Sequence, residues 1–350
     1  MKRKNNSKSK IVIKKVLIWM MLTLFGFLSI YAGIQFGKLS YITSVDEPTA
    51  LSLDVPEKTE TGKFNVLLLG VDKDGTRADT IMLFSVDNIS KSIKMLSVPR
   101  DTKITLSSGR DIKINACLGF KTREKFLIET LKAITKMPIH YYCEINFESF
   151  IEIVDILGGV DYDVPYDMNY DDPVQNLHIH LKAGMQHLDG QAAHDFVRFR
   201  HNNKGEGVYA PGEYAHGDIG RIGAQQNFLK ELFRQKMQPQ YLLKAADLLS
   251  AASDDVKTNF TLSSALDFVG ILKSAETTEI ESFVLPGEAR YIGKVSYYVY
   301  SPSQTEELIL TEFGFPEDKA AALAQQTQAS PAEDLIPETE EENKPAAVIK

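Results

Sequence analysis

The sequence predicts a layered α/β domain behind one N-terminal transmembrane helix. Strand-like apolar runs and helix-like segments alternate from Phe64 onward, which implies helices packed on a sheet. A lysine-rich start precedes an uncharged run of bilayer length, roughly 20 residues. Polar stretches with several prolines bracket the domain on both sides.

Lys2, Arg3, Lys4, Lys8, Lys10, Lys14 and Lys15 come before any acid, so residues 1–15 are expected in the cytoplasm. The transmembrane helix is expected at 16–36, where Val16 to Ile34 is uncharged and includes Trp19, Phe25, Phe27 and Tyr31. A secretory leader has a shorter apolar core and a small-residue cleavage site, which Tyr31-Ala-Gly-Ile34 matches poorly. The remainder is therefore expected outside the cell, anchored in the membrane. Residues 37–63 read as a stalk, 64–315 as the folded domain, and 316–350 as an acidic, proline-containing disordered tail.

Within the domain, Asn65 to Gly70 is apolar without alternation, as in a strand covered on both faces. Thr80 to Val86 and Ser92 to Val98 flank Asp87-Asn88 and read as a hairpin. Lys121 to Lys136 has helical spacing and stops before Pro138. Phe147 to Leu157 is a second helix, closed by Gly158-Gly159. Asp189 is expected to cap a third, carrying Ala192, Ala193, Phe196 and Val197; Ile219 to Lys236 and Leu262 to Lys273 complete the set. The glycine-rich connection 201–217 reads either as a flap or as an exposed loop.

The net charge of −8 already includes the seven basic residues of the start, so the exterior part is acidic and a general nucleic-acid surface is excluded. Cys117 and Cys143 could pair or lie buried as thiols, and neither has the histidine partner of a catalytic cysteine. There is no Walker loop, G-x-S-x-G or H-E-x-x-H. His178 and His180, alternating on a strand-like run, are the pair considered for zinc.

Chemistry concentrates in the arginines. Of 39 basic residues ten are arginine, and half of these stand beside an acid or a second arginine in four short segments. The segments are Arg77-Ala-Asp79-Thr80, Pro99-Arg100-Asp101, Arg198-Phe-Arg200-His201 and Asp218-Ile-Gly-Arg221. A guanidinium offers two parallel donors that suit phosphate and keeps its charge. Interleaved aspartates suggest a divalent cation, because hard cations take carboxylate oxygen. A phosphate or pyrophosphate site with Mg²⁺ is therefore expected, against salt bridges on a partly buried face.

Asp72 follows the first strand directly, and the hairpin should make Asp79 and Arg100 neighbours. Asp72 and Asp79 are the preferred metal pair; Asp101 is a reserve, or orients Arg100. Arg198 and Arg200 point to different sides if helical, while both can reach the cleft if the helix ends there. Arg221 and Gln225 share a helix face, and Asp218 is either that helix's N-cap or a catalytic group. Arginines, Mg²⁺ and no evident nucleophile fit direct phosphoryl transfer.

These segments, with Asn65-Val-Leu-Leu-Leu-Gly-Val-Asp72, Ser97-Val-Pro-Arg-Asp-Thr102, Lys113-Ile-Asn-Ala116, Val154-Asp-Ile-Leu-Gly-Gly-Val160, Leu188-Asp-Gly190 and Gln225-Gln226, resemble the LytR–CpsA–Psr family of bacterial cell-envelope proteins. The resemblance implies an α/β/α domain with a central mixed sheet and an N-terminal membrane helix. It implies a transferase that attaches a glycopolymer (teichoic acid, capsule or similar) from a polyprenyl-pyrophosphate carrier to the peptidoglycan of Gram-positive walls by a phosphodiester. By motif, Asp72 and Asp79 would hold Mg²⁺. Arg77, Arg100, Arg198, Arg200, Arg221 and Gln225 would bind the pyrophosphate and its leaving group, and Asp218 would lie near the head group as a candidate base for the muramic-acid hydroxyl. The prenyl tail would lie in an apolar channel, for which Phe150 and Ile153 are candidates as much as for the core. Ala224 departs from the arginine often found there, Asp74 could replace Asp72 as first ligand, and Cys117 stands where the family has a small apolar residue. Rival readings are a polyprenyl-pyrophosphate pyrophosphatase and a non-enzymatic membrane-anchored carrier or attenuator.

Overall fold

The computed structural model describes residues 63–236 except 88 and 91, together with 256–260 and 280–316. The predicted basic segment, membrane helix, most of the stalk, the helix at 262–273 and the tail beyond 316 lie outside these residues. Among the described residues no helix is long and apolar enough to cross a membrane.

β1 (Lys63–Val71), β2 (Ala78–Asp87) and β3 (Ser92–Ser97) form an antiparallel meander. The β2–β3 connection is longer than the dipeptide turn expected from Asp87-Asn88. Asp87 closes it with its side chain, Oδ1 accepting from Ile89 N at 2.8 Å and Ser90 N at 3.1 Å. Beyond the meander come a small ladder of β4 (Lys103–Thr105) with β5 (Asp111–Lys113), helix α1 (Arg123–Thr135), β6 (Tyr141–Ile145) and α2 (Phe147–Ile156). Asn146 caps α2, and Gly158 and Gly159, with φ of 77° and 62°, end it in the left-handed conformation that glycine allows.

β7 (Val160–Val164) pairs β10 (Gly184–Leu188), and β8 (Met168–Asp172) pairs β9 (Leu177–Leu181). Helix α3 (Gly190–Arg198) follows, capped by Asp189 as expected, and then α4 (Asp218–Lys236). β11 (Lys257–Thr258), β12 (Glu281–Val284), the hairpin β13 (Gly287–Ile292) with β14 (Val295–Tyr300), and α5 (Pro302–Leu308) complete the described part.

The six-stranded sheet has the order β11-β6-β1-β2-β3-β12. β1 pairs β6 in parallel and β3 pairs β12 in parallel, while the other pairings are antiparallel, so the sheet is mixed. It follows that β1, β3, β6 and β12 run one way and end at one edge, where ligands of such sheets bind.

Alternation along the strands feeds two cores. Leu67, Leu69, Ile81, Leu83 and Leu96 pack with α1 residues Leu127, Ile128 and Leu131. Val66, Met82, Phe84 and Met95 face the other way, against Leu229 and Phe233 of α4. A third core joins Ala224, Phe228 and Leu232 of α4 to α2, α3 and the strands β7–β10. Helix α4 is thus apolar on two sides and lies between the sheet and the third core, which completes an α/β/α layering. Phe150 packs against the third core. Cys117, in the core under α1, and Cys143 are both free thiols.

Candidate functional site

Gly70 is paired with Thr80 and Val71 with Ala78, so Asp79 is the bulged residue of β2, and Asp72 follows β1 at the same edge, opposite Arg77. The two aspartate side chains then part. Asp72 Oδ1 accepts from Thr76 N at 2.8 Å and Arg77 N at 3.1 Å, closing its own loop as aspartate does in turns. Arg77 is exposed on that loop. Asp79 turns into a cavity of about 180 Å³.

Arg100 leaves β3 at the same edge. Its Nη1 donates to Asp79 Oδ1 at 2.5 Å, so the hairpin makes the predicted neighbours. Asp101 goes elsewhere: it pairs with Lys113 at 3.0 Å, and its carbonyl accepts from Tyr298 N at 2.9 Å.

Helix α3 stops at Arg198 because Phe199 adopts φ −57° and ψ 140°. Extended backbone from there lets Arg198 and Arg200 reach the same cavity, the second of the two arrangements open from their spacing. Arg198 lies 4.5 Å from the centre of the Phe147 ring and donates to Gln175 Oε1 at 2.9 Å.

Helix α4 supplies Arg221 and Gln225, both lining the cavity, as their shared face requires. Gly220 lets the helix begin hard against the turn Gly212–His216, since a Cβ there would overlap the Glu213 carbonyl. Gln225 Nε2 donates to Val197 O at 3.0 Å, tying α4 to α3. Gln226, 5 % exposed, donates to Ser97 Oγ at 2.9 Å and Phe283 O at 2.8 Å, tying α4 to the sheet.

Asp218 does not cap this helix. Neither carboxylate oxygen accepts a hydrogen bond, and both are shielded from solvent. Instead Oδ1 lies 2.7 Å from Arg221 Nη2, 3.7 Å from Arg200 Nη2 and 3.8 Å from Arg100 Nε. The Arg221 contact is an ion pair off the donor axis. Capping fails because the guanidinium groups offer a stronger field than the helix N–H groups, which carry only about half a charge.

The cavity gathers positive charge. Four guanidinium groups, Arg100, Arg198, Arg200 and Arg221, stand around it with Asp79 and Asp218 as the carboxylates paired to them, and Asp195 and Asp172 act on Arg198 from further off. Burial pulls Arg221 down to about 10, with Arg100 and Arg200 pushing the same way against Asp218. Burial also lowers Arg198, against the pull of Asp79. Arg100 is raised, because Asp218 and Asp79 outweigh its burial. An anion bridging these groups would relieve their mutual repulsion.

Arg123 escapes the sequence reading, although it too stands beside an acid, Glu124. It donates to Gly75 O at 2.7 Å and to Glu144 Oε1 at 3.0 Å, clamping the Asp72–Arg77 loop to β6. Glu144 is 2 % exposed and is raised by burial, with Lys257 and Arg123 opposing. Ala224 is buried in the core beside α3, away from the cavity wall. His178 and His180 both lie against Asp171 on an exposed strand face, and among the described residues no group of three or more ligands is placed to hold a metal.

The LytR_cpsA_psr family profile matches residues 36–312. The polyisoprenyl-teichoic acid–peptidoglycan teichoic acid transferase TagV of Bacillus subtilis (strain 168) is 28% identical over 251 residues, 69% of this chain and 61% of that protein. The chain thus spans less than two thirds of that relative's length. The corresponding transferase TagU of Bacillus cereus is 29% identical over 314 residues, 84% of this chain and 95% of that protein. The crystal structure of B. subtilis TagV superposes with a TM-score of 0.59 at 25% identity, covering 78% of this chain and 100% of that one. The profile spans the loop of Asp72, the meander and the arginine-bearing ends of α3 and α4, and the chain belongs to the LytR_cpsA_psr family.

Proposed function

We propose that the chain is a phosphotransferase that moves a glycopolymer, a teichoic acid, capsule or similar polymer, from a polyprenyl-pyrophosphate carrier to peptidoglycan through a phosphodiester bond. The observation that carries this is the cavity into which Arg100, Arg198, Arg200 and Arg221 converge with Asp79 as the one carboxylate on its wall among the described residues, which suits a pyrophosphate. The names of the relatives, teichoic acid transferases acting on peptidoglycan, support the same class of reaction. In this reading the basic start and apolar run anchor the chain, with the domain outside the membrane.

Each group then has a task. Arg198, Arg200 and Arg221 hold the bridging and terminal oxygens of the pyrophosphate, and their fixed charges need no reorganisation as the leaving phosphate develops charge. Asp79 orients Arg100, and Asp218 holds Arg221, Arg200 and Arg100 together in the absence of substrate. Gln225, fixed on the Val197 carbonyl, presents its amide to the same anion.

Mg²⁺ fits as a shared ligand more than as a resident one. The donor set is hard oxygen but has few members: Asp79 faces the cavity, and Asp72 has one oxygen committed to its loop. Mg²⁺ commonly takes one or two carboxylates and completes its shell with water and substrate phosphate. Of the two expected ligands Asp79 is the one that would hold it at the cavity, since Asp72 is turned into its own loop, and the ion would neutralise charge on the phosphates when bound.

The test is turnover of the full-length chain in vesicles with a short-chain polyprenyl-pyrophosphate glycan, Mg²⁺ and a peptidoglycan oligomer, followed by mass spectrometry. A phosphodiester adduct that disappears in Arg100→Ala and Asp79→Ala is the expected result. Released phosphorylated glycan without adduct would make the chain a pyrophosphatase, and tight binding without turnover would make it a carrier.

A further inference from the structure

His201 closes the wall of the cavity beside Arg200, and its ring is braced from more than one side. Tyr209 stacks on it with centroids 4.4 Å apart and an interplanar angle of 18°. Tyr170 meets it edge-on, at 5.1 Å and 86°. Its Nδ1 lies 3.1 Å from the Asn202 carbonyl oxygen. A carbonyl only accepts, so Nδ1 carries the proton, and the neutral ring has Nε2 as its one accepting nitrogen.

The carbonyl that sets this tautomer is itself fixed. Asn202 is 2 % exposed and uses both ends of its amide. Oδ1 accepts from Asn169 N at 2.6 Å, and Nδ2 donates to Val208 O at 2.7 Å. The connection predicted as flap or loop is thus pinned to β8 at its start, and Tyr209 is brought back over the histidine. Such support is what a proton-transfer group requires, since the acceptor atom must be held within hydrogen-bond reach of the substrate.

Other bases fall away on geometry. Both Asp218 oxygens are shielded from solvent among guanidinium groups, so a substrate hydroxyl in the cavity cannot touch them. Asp79 is bonded to Arg100. The Tyr170 hydroxyl lies 3.5 Å from Asp172, and burial raises its pKa, which holds it protonated.

We propose that His201 is the general base for the acceptor, a sugar hydroxyl, in the transfer described above; the assignment rests on that reading. The hydroxyl oxygen forms the new P–O bond while its proton passes to His201 Nε2. The P–O bond to the prenyl phosphate breaks, and its electron pair stays on that leaving group. The imidazolium then returns the proton to water.

The experiment uses the full-length chain in vesicles and the adduct assay above. His201→Gln should lower kcat about 10²- to 10⁴-fold, with the KM for the prenyl donor and the melting temperature unchanged. In His201→Ala, added imidazoles should restore turnover in the order of their basicity; a packing role would follow their size. Wild-type turnover in His201→Gln, or rescue that follows size, overturns the assignment while leaving the transferase intact. If the wild-type chain itself forms no adduct, the transferase reading falls and this one with it. If His201→Gln also melts lower, the imidazole series in His201→Ala decides.

Discussion

Arg100 Nη1 donates to Asp79 Oδ1 across 2.5 Å, although the two are 21 residues apart. The contact exists because Met82 lies opposite Ser97, which brings the end of β3 to the start of β2. One carboxylate thus fixes the direction of a cavity arginine, and the remaining guanidinium donors are left to the anion. A lysine cannot satisfy both, having no planar fork. Arg100→Lys should therefore lower turnover by about 10²-fold, comparable to loss of one preorganised donor. Turnover within twofold of wild type would show that only the charge of Arg100 matters.

Asp218 is the counter-charge for a buried arginine. With Asp218→Ala, Arg221, 7 % exposed, would keep its charge without an ion-pair partner at 2.7 Å. Breaking such a pair costs about 3 kcal/mol. The melting temperature should fall, and inorganic pyrophosphate should raise it more in the variant than in wild type. Equal shifts on adding pyrophosphate would mean that Asp218 and the anion do not share the same arginines.

Gly220 is required by close approach. In Gly220→Ala the new Cβ would meet the Glu213 carbonyl, so α4 must move from the Gly212–His216 turn. Overpacking of this kind costs about 1–3 kcal/mol, and the shift would carry Arg221 with it. Calorimetry and donor affinity should both decline. A variant as stable as wild type would show that the turn yields instead.

Asp87 gives the meander a pH dependence. Burial acts to raise its pKa, but backbone donation from Ser90 and Ile89 outweighs this and holds the folded carboxyl below the usual aspartate range. A depressed carboxylate stabilises the fold fully above its unfolded pKa and loses that contribution as pH falls through the folded one. Asp87→Ala should be less stable than wild type by about 1 kcal/mol at pH 7, and the difference should vanish at a pH acid enough to protonate Asp87 in the folded state as well. Chemical denaturation at both pH values checks this; a gap that persists in acid would assign the effect to packing.

Local pattern made much of the frame legible. The apolar run at Asn65–Gly70, the hairpin, the glycine stop of α2 and the cap of α3 each depend on residues within a turn or two of each other, and each stands near its expected place. Of the two-stranded pairs only β9 showed itself, as the alternating run around His178 and His180; the three-residue strands of β4–β5 are too short to carry a pattern and β13 is exposed along its whole length. Helix α4 has no single apolar stripe since two cores cover it from opposite sides.

The sequence by itself determined that arginines and aspartates would gather at one edge of a mixed α/β sheet, because strand direction and hairpin connectivity place the ends of β1, β2 and β3 together. Only tertiary structure decided where each side chain turned. Asp72 and Asp101 are drawn off by backbone N–H groups and Lys113, Arg77 stays in solvent, and Asp218 gives up a helix cap for three guanidinium groups. The tautomer of His201 was likewise beyond its own segment, since it depends on a carbonyl held by β8. Direction is set by the strongest field within a few ångströms, and the residues that make that field come from distant parts of the chain.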